Sequence, residues 1–194
     1  NANGSIKSSS QIGDGSGGPR APVLSDGDQF GASCSLVGDI DGDGVDDLAV
    51  GAPGDDTGGG DRGAVYLLFM NTDGTVRVHT KIAQGRGGNG SPALSDADFF
   101  GSSVAPLGDL NGDGIPDLVV GAGGDNTGGA SSGAVYVLFL SSGGSVPTST
   151  KIAHESGGAG APSLGATDAF GSSCALIGDI NGNGLPDIVV GAVM

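Results

Sequence analysis

The chain has 194 residues, with Lys+Arg 7 against Asp+Glu 22 and a formal net charge of −15. Such a surface repels polyphosphate and anionic lipid and attracts cations, which argues against nucleic-acid partners, and no apolar run is long enough to span a membrane as a helix. Gly 42 and Pro 9 bring the composition close to that of disordered chains, yet regular apolar blocks such as Ala64-Val-Tyr-Leu-Leu-Phe69 oppose that reading.

Residues 1–29 read as the last strand and following loop of a unit whose earlier part lies elsewhere. Within them, Gly13-Asp-Gly-Ser-Gly-Gly18 resembles a serine-protease nucleophile segment interrupted by an extra glycine. The two histidines, His79 and His154, stand in no catalytic context, so the stretch reads as a flexible loop. The chain begins at Asn1 without a signal-like segment, as expected of a processed chain or an excised fragment.

From Phe30-Gly31 onward a seventy-residue period is strict, giving units at 30–99, 100–169 and a shorter one at 170–194. Phe100-Gly101 and Phe170-Gly171 open the later units. Leu24, Leu94 and Leu164 fall in register, as do Asp28, Asp98 and Asp168, and Ile12, Ile82 and Ile152. Gly4, Gly74 and Gly144 align further upstream, and no insertion is needed. The second unit predicts strands at about 101–108, 117–122, 133–139 and 146–153, here called A to D, and no stretch has helical periodicity. Four antiparallel strands per unit with glycine-rich connections make the chain all-β, with β-propeller-type blades in tandem, the last one incomplete. A meander places the A–B and C–D connections at one end of each blade and the longer connections at the other. Two full blades and two part-blades cannot close a ring, so a longer parent chain or assembly of copies is expected.

The A–B connections carry the chemistry. Asp39-Ile-Asp-Gly-Asp-Gly-Val-Asp-Asp47 recurs as Asp109-Leu-Asn-Gly-Asp-Gly-Ile-Pro-Asp117 and as Asp179-Ile-Asn-Gly-Asn-Gly-Leu-Pro-Asp187. Oxygen donors stand at positions 1, 3, 5 and 9 and glycine at position 6, the spacing that gathers hard ligands around Ca2+. Position 12 is Val50, Val120 or Val190, without the bidentate Glu of an EF-hand. The expected ligands are the side chains of Asp39, Asp41, Asp43 and Asp47, of Asp109, Asn111, Asp113 and Asp117, and of Asp179, Asn181, Asn183 and Asp187. The carbonyls of Val45, Ile115 and Leu185 and a water complete each set, for up to three Ca2+ in all. Mg2+ is disfavoured, since a flexible many-oxygen loop suits the larger ion. Carboxylate count ranks the first loop tightest and the third weakest. The competing interpretation is a metal-free Asp/Asn/Gly turn.

Other signals are weaker. Cys34 and Cys174 share a repeat position with Val104 and read as small buried apolar side chains rather than a disulfide. Phe30, Phe100 and Phe170 read as blade-to-blade core, with the following glycine allowing close backbone approach. Asn3-Gly-Ser and Asn89-Gly-Ser match N-glycosylation acceptors.

Phe-Gly-x-Ser, the Asp-rich loop and Gly51-Ala52-Pro53 together resemble the FG-GAP repeat of integrin α-subunit propellers and their microbial relatives. Gly121-Ala122-Gly123 and Gly191-Ala192-Val193 depart from it by losing the proline. The resemblance implies seven-bladed propellers, structural Ca2+ in the A–B loops, and an extracellular or cell-surface adhesion role. The leading expectation is therefore a non-enzymatic, Ca2+-stabilised module, with a protein or glycan ligand on the face opposite the calcium loops. Two alternatives stand beside it: a self-assembling filament unit whose partners are copies of itself, and the non-catalytic propeller of a larger enzyme.

Overall fold

A computed structural model describes residues 9–193; the acceptor sequence at Asn3 and the aligned Gly4 lie outside them. No helix occurs among the described residues, and the strands fall in register with the seventy-residue period. The first sheet contains β1 (Ser33–Gly38), β2 (Asp47–Ala52), β3 (Ala64–Met70) and β4 (Val76–Ala83). The second contains β5 (Phe100–Gly108), β6 (Asp117–Ala122), β7 (Ala134–Phe139) and β8 (Thr148–Ile152), followed by a hairpin of β9 (Ser173–Gly178) and β10 (Asp187–Gly191). Every pairing is antiparallel between consecutive strands, so each sheet is a meander. These are the four-stranded blades expected, with the third represented by its first two strands.

Alternation along the strands explains why they read as continuous apolar runs. On β3, Val65, Leu67 and Phe69 join one core with Phe100, Val104, Leu118, Val120, Tyr136 and Leu138 of the next sheet. The intervening Tyr66, Leu68 and Met70 pack the other way, against Ile12, Leu24 and Phe30. On β7 the pattern repeats, with Val135 and Val137 meeting Phe170, Cys174, Ile188 and Val190. Each of β3 and β7 is thus buried on both faces, which selects apolar residues along the whole strand.

The Phe-Gly and Gly-Ala segments make the seam between blades. Phe100 is fully buried and stacks edge-on against Tyr136 at a centroid distance of 5.6 Å, as Phe30 does on Tyr66 at 5.4 Å. The Phe100 amide donates to the Arg62 carbonyl of the preceding blade at 3.0 Å, and the Phe170 amide to Ser132 at 3.0 Å. Ser33 and Ser103 add side-chain hydrogen bonds across the seam, from Oγ to the Gly101 and Gly171 carbonyls, each at 2.8 Å. The aromatic rings are core, not an exposed binding stripe. Cys34 and Cys174 are free thiols, but the expected burial fails at Cys34. Cys174 packs half-buried against the core of the preceding blade, whereas Cys34 is exposed because no full blade precedes the first sheet among the described residues.

The loop read as flexible from its glycines is instead a closed turn. Gly13 and Ser16 exchange backbone hydrogen bonds at 3.1 Å, and the equivalent pairs Ala83/Arg86 and Ala153/Ser156 do the same. The Gly-Gly that follows then reaches the neighbouring blade. The Gly17 carbonyl accepts from Val76 at 2.7 Å, and the Gly87 carbonyl accepts from Val146 at 2.6 Å. A connection between two blades therefore also covers the start of the outer strand of the second, where an open sheet edge would otherwise begin.

Candidate metal centre

The first Asp-rich loop leaves β1 and enters β2 at Asp47, and its shape is set by two of its own carboxylates. Asp39 accepts the amides of Gly42 and Asp43 on Oδ1, at 2.7 and 3.0 Å, and of Gly44 on Oδ2 at 2.8 Å. Asp47, only 1% exposed, accepts Ile40 on Oδ2 and Met70 on Oδ1, both at 3.0 Å. Asp47 thereby pins the loop to its own first turn and to the end of β3. Position 6 carries the reversal: Gly44, Gly114 and Gly184 have φ of 86°, 85° and 85°, where a Cβ is strained.

The later loops copy this framework. Asp109 accepts Gly112, Asp113 and Gly114, and Asp117 accepts Leu110 and Leu140. Asp179 accepts Gly182, Asn183 and Gly184. Asp187 accepts Ile180 at 2.8 Å, but its second oxygen takes the Asn181 side-chain amide at 2.9 Å.

The side chains at positions 1, 3 and 5 converge in the first loop. One carboxylate oxygen from each of Asp39, Asp41 and Asp43 lies within 4.8 Å of the others. Asp41 Oδ1 is buried and has no hydrogen-bond partner. Carboxylates this close repel one another unless a cation or a proton intervenes. Three hard carboxylate oxygens this close, beside a buried and unpartnered Asp41 Oδ1, make a donor set suited to Ca2+. Asp47 stands apart from that trio, engaged by its two amides. At position 7 the side chains of Val45 and Ile115 lie against core clusters, but that of Leu185 in the third loop is 49% exposed. In the second loop the Asn111 side-chain amide donates to Asp113 at 3.0 Å, and in the third the Asn181 and Asn183 side-chain oxygens cap backbone amides.

The electrostatics of the framework pull in two directions. Amide donors, the Gly114 and Gly184 amides first, hold the Asp109 and Asp179 carboxyls below the usual carboxylate range. Burial pushes Asp47 and Asp117 up, against the amides of Met70 and Ile40 or of Leu140 and Leu110. Asp41 and Asp43 raise Asp47 further, and Asp113 and Asp109 raise Asp117. A divalent cation in the loop would relieve that repulsion.

Two features of the site were not read from the sequence. Arg77, at the start of β4, places its guanidinium on Asp41 and Asp43, with Nη2 at 3.1 Å from Asp43 Oδ2. On the opposite end of the blade, buried Asp55 accepts Lys81 Nζ at 2.5 Å and Tyr66 Oη at 3.0 Å. Asp125, Lys151 and Tyr136 repeat the latter arrangement. The seventy-residue recurrence of these three residue types was the available signal; their side chains meet only once B, C and D strands are aligned.

Tandem four-stranded blades carrying an Asp-rich A–B hairpin at one end define a propeller-repeat protein, incomplete over the described residues. The FG-GAP repeat family model matches at residues 30–68 and 100–138, so the chain carries FG-GAP repeats at these two positions. It is similar to integrin alpha-3 of Cricetulus griseus, at 35% identity over 172 residues, covering 86% of this chain and 14% of the relative. It is also similar to integrin alpha-5 of Xenopus laevis, at 38% over 99 residues (51% and 9%). A third relative is the phosphatidylinositol-glycan-specific phospholipase D of Bos taurus, at 35% over 160 residues (79% and 17%). The chain thus spans less than a fifth of the length of these curated relatives.

Proposed function

We propose that this chain is a calcium-binding FG-GAP module of a secreted or cell-surface protein, serving adhesion or an extracellular scaffold, and that it is not itself catalytic. The observation that carries the calcium reading is the trio Asp39, Asp41 and Asp43 within 4.8 Å, with Asp41 Oδ1 buried and unpartnered. Asp109 with Asn111 and Asp113, and Asp179 with Asn181 and Asn183, would hold the second and third ions, with Asp47, Asp117 and Asp187 closing each set. The carbonyls of Val45, Ile115 and Leu185 would supply the backbone ligand. Bound Ca2+ would supply charge neutralisation, while Asp39 and Asp47 hold the loop by their hydrogen bonds to backbone amides.

The adhesion reading draws support from the similarity to integrin α subunits. A partner surface is available on the end opposite the Asp-rich loops, where a cleft of about 390 Å³ opens between blades, lined by Pro53, Phe99, Ser102 and Gly124 among others. No helix among the described residues is long and apolar enough to cross a membrane. The alternative of a propeller segment in a larger enzyme has one specific support, the similarity to a phospholipase D.

Calorimetric titration of chelator-treated protein with CaCl2, and separately with MgCl2, tests the proposal. Saturable heat with Ca2+ at lower concentration than with Mg2+ is expected. Absence of any binding at millimolar Ca2+ would remove the metal from the account.

A further inference from the structure

Counting carboxylates makes the first loop the strongest calcium site, but that count omits Arg77. Its guanidinium contacts both Asp41 and Asp43, two of the three side chains that converge there. Its guanidinium carbon lies 6.0 Å from the Phe69 ring centroid, so the ring and the two carboxylates together orient the head at the loop. One period later the same position is Pro147, and among the described residues no cationic side chain pairs with Asp109 or Asp113.

We propose that Arg77 is the resident counter-ion of the first Asp-rich loop and competes with Ca2+ for Asp41 and Asp43. The inference rests on the calcium reading above. Arg77 and Ca2+ draw on the same two carboxylates, so calcium binds the trio against the guanidinium. Arg77 offsets one carboxylate, leaving the first loop with the same formal charge at its ligand positions as the second, where Asn111 stands in place of Asp41. The two loops therefore bind Ca2+ with similar affinity in the native protein. Their ranking by carboxylate number emerges only when Arg77 is neutralised.

Amide NMR of the 194-residue chain, titrated with CaCl2, follows each loop separately through Gly44 and Gly114. Exposed ion pairs of this kind are worth up to about 1 kcal/mol, so R77Q should lower the half-saturating Ca2+ at Gly44 roughly two- to fivefold. Gly114 should not change, and R77K, which keeps the charge, should stay near wild type. Equal half-saturation at Gly44 in wild type and R77Q, or R77K behaving as R77Q, would overturn the competition while leaving calcium binding intact. No movement of either glycine in any variant at millimolar Ca2+ would instead remove the calcium reading and this inference with it. The same spectra report whether each variant is folded.

Discussion

Gly51 lies beneath the backbone carbonyl of Gly101, so closely that a methyl group added to Gly51 would sit 2.0 Å from that oxygen. Gly121 stands in the same relation to Gly171, at 1.8 Å. These are the glycines of the Gly-Ala and Phe-Gly segments, and they set how near two blades approach. Ala at either Gly51 or Gly121 must push backbone away from backbone across a packed seam. We expect each to cost about 1–3 kcal/mol or more in urea unfolding. G143A is the control, since a methyl there meets nothing within 4 Å. Equal midpoints for G51A and G143A would mean that the seam is looser than described.

The ninth-position aspartates make a different prediction. Asp47 accepts one amide on each oxygen, from Ile40 and from Met70, and Asp117 does so from Leu110 and Leu140. An Asn is isosteric but has a single acceptor oxygen, so one buried amide is left facing an NH2 group. D47N should therefore destabilise by about 1–3 kcal/mol. Hydrogen exchange at Ile40 or Met70 should accelerate, while the matching amides in the second blade stay protected. Unchanged exchange at both amides would show that these hydrogen bonds do not hold the loop.

Much of this was legible from the sequence because the repeat reports on itself. Strand limits near 117–122 and 133–139, the Asp-loop framework and the role of Phe100 all follow from periodic apolar residues and turn chemistry, which are local. What escaped depends on contacts between segments far apart in the chain. Arg77 meets Asp41 across 36 positions, and Lys151 meets Asp125 across 26. The Gly17 and Gly18 pair reads as loop composition, yet it lies against Val76 on the neighbouring blade. The division of labour inside the Asp loop was also hidden. Spacing alone marks Asp39 and Asp47 as donors to a metal, whereas folding shows how many backbone amides they already accept.

Acid should expose the paired network on the other end of the blades. Burial raises the Asp55 and Asp125 carboxyls, but the Lys81 or Lys151 ammonium and the hydrogen bonds from Thr57 or Thr127 outweigh it, so both end below the usual carboxylate range. For a carboxyl lowered on folding, the stabilisation is complete above its unfolded pKa of about 3.9 and is lost as pH falls through the folded value. Asp98 has the opposite sign, raised chiefly by burial, so its cost to folding grows as pH rises from the unfolded pKa of about 3.9 and is complete above the folded value. K81M leaves Asp55 buried without its cation and should cost about 3 kcal/mol at neutral pH. The deficit should shrink as pH falls through the unfolded pKa of about 3.9 and on through the lowered folded value, below which Asp55 is protonated in folded and unfolded protein alike. A deficit independent of pH would assign the loss to packing of the lysine stem.

Asp41 separates the two states of the first loop. Its Oδ1 is buried without a partner, so the carboxylate adds repulsion when no cation is bound. D41N removes that repulsion together with one contact to Arg77, an exposed pair of small worth. In excess chelator the variant should melt at or above the wild-type temperature. In saturating Ca2+ the order should reverse, because the weaker site gains less from the ion; a tenfold loss of affinity corresponds to about 1.4 kcal/mol. Scanning calorimetry under both conditions reads the crossing directly. If D41N melts below wild type by the same margin with and without calcium, then Asp41 serves the fold through its hydrogen-bonding surroundings and not through a metal.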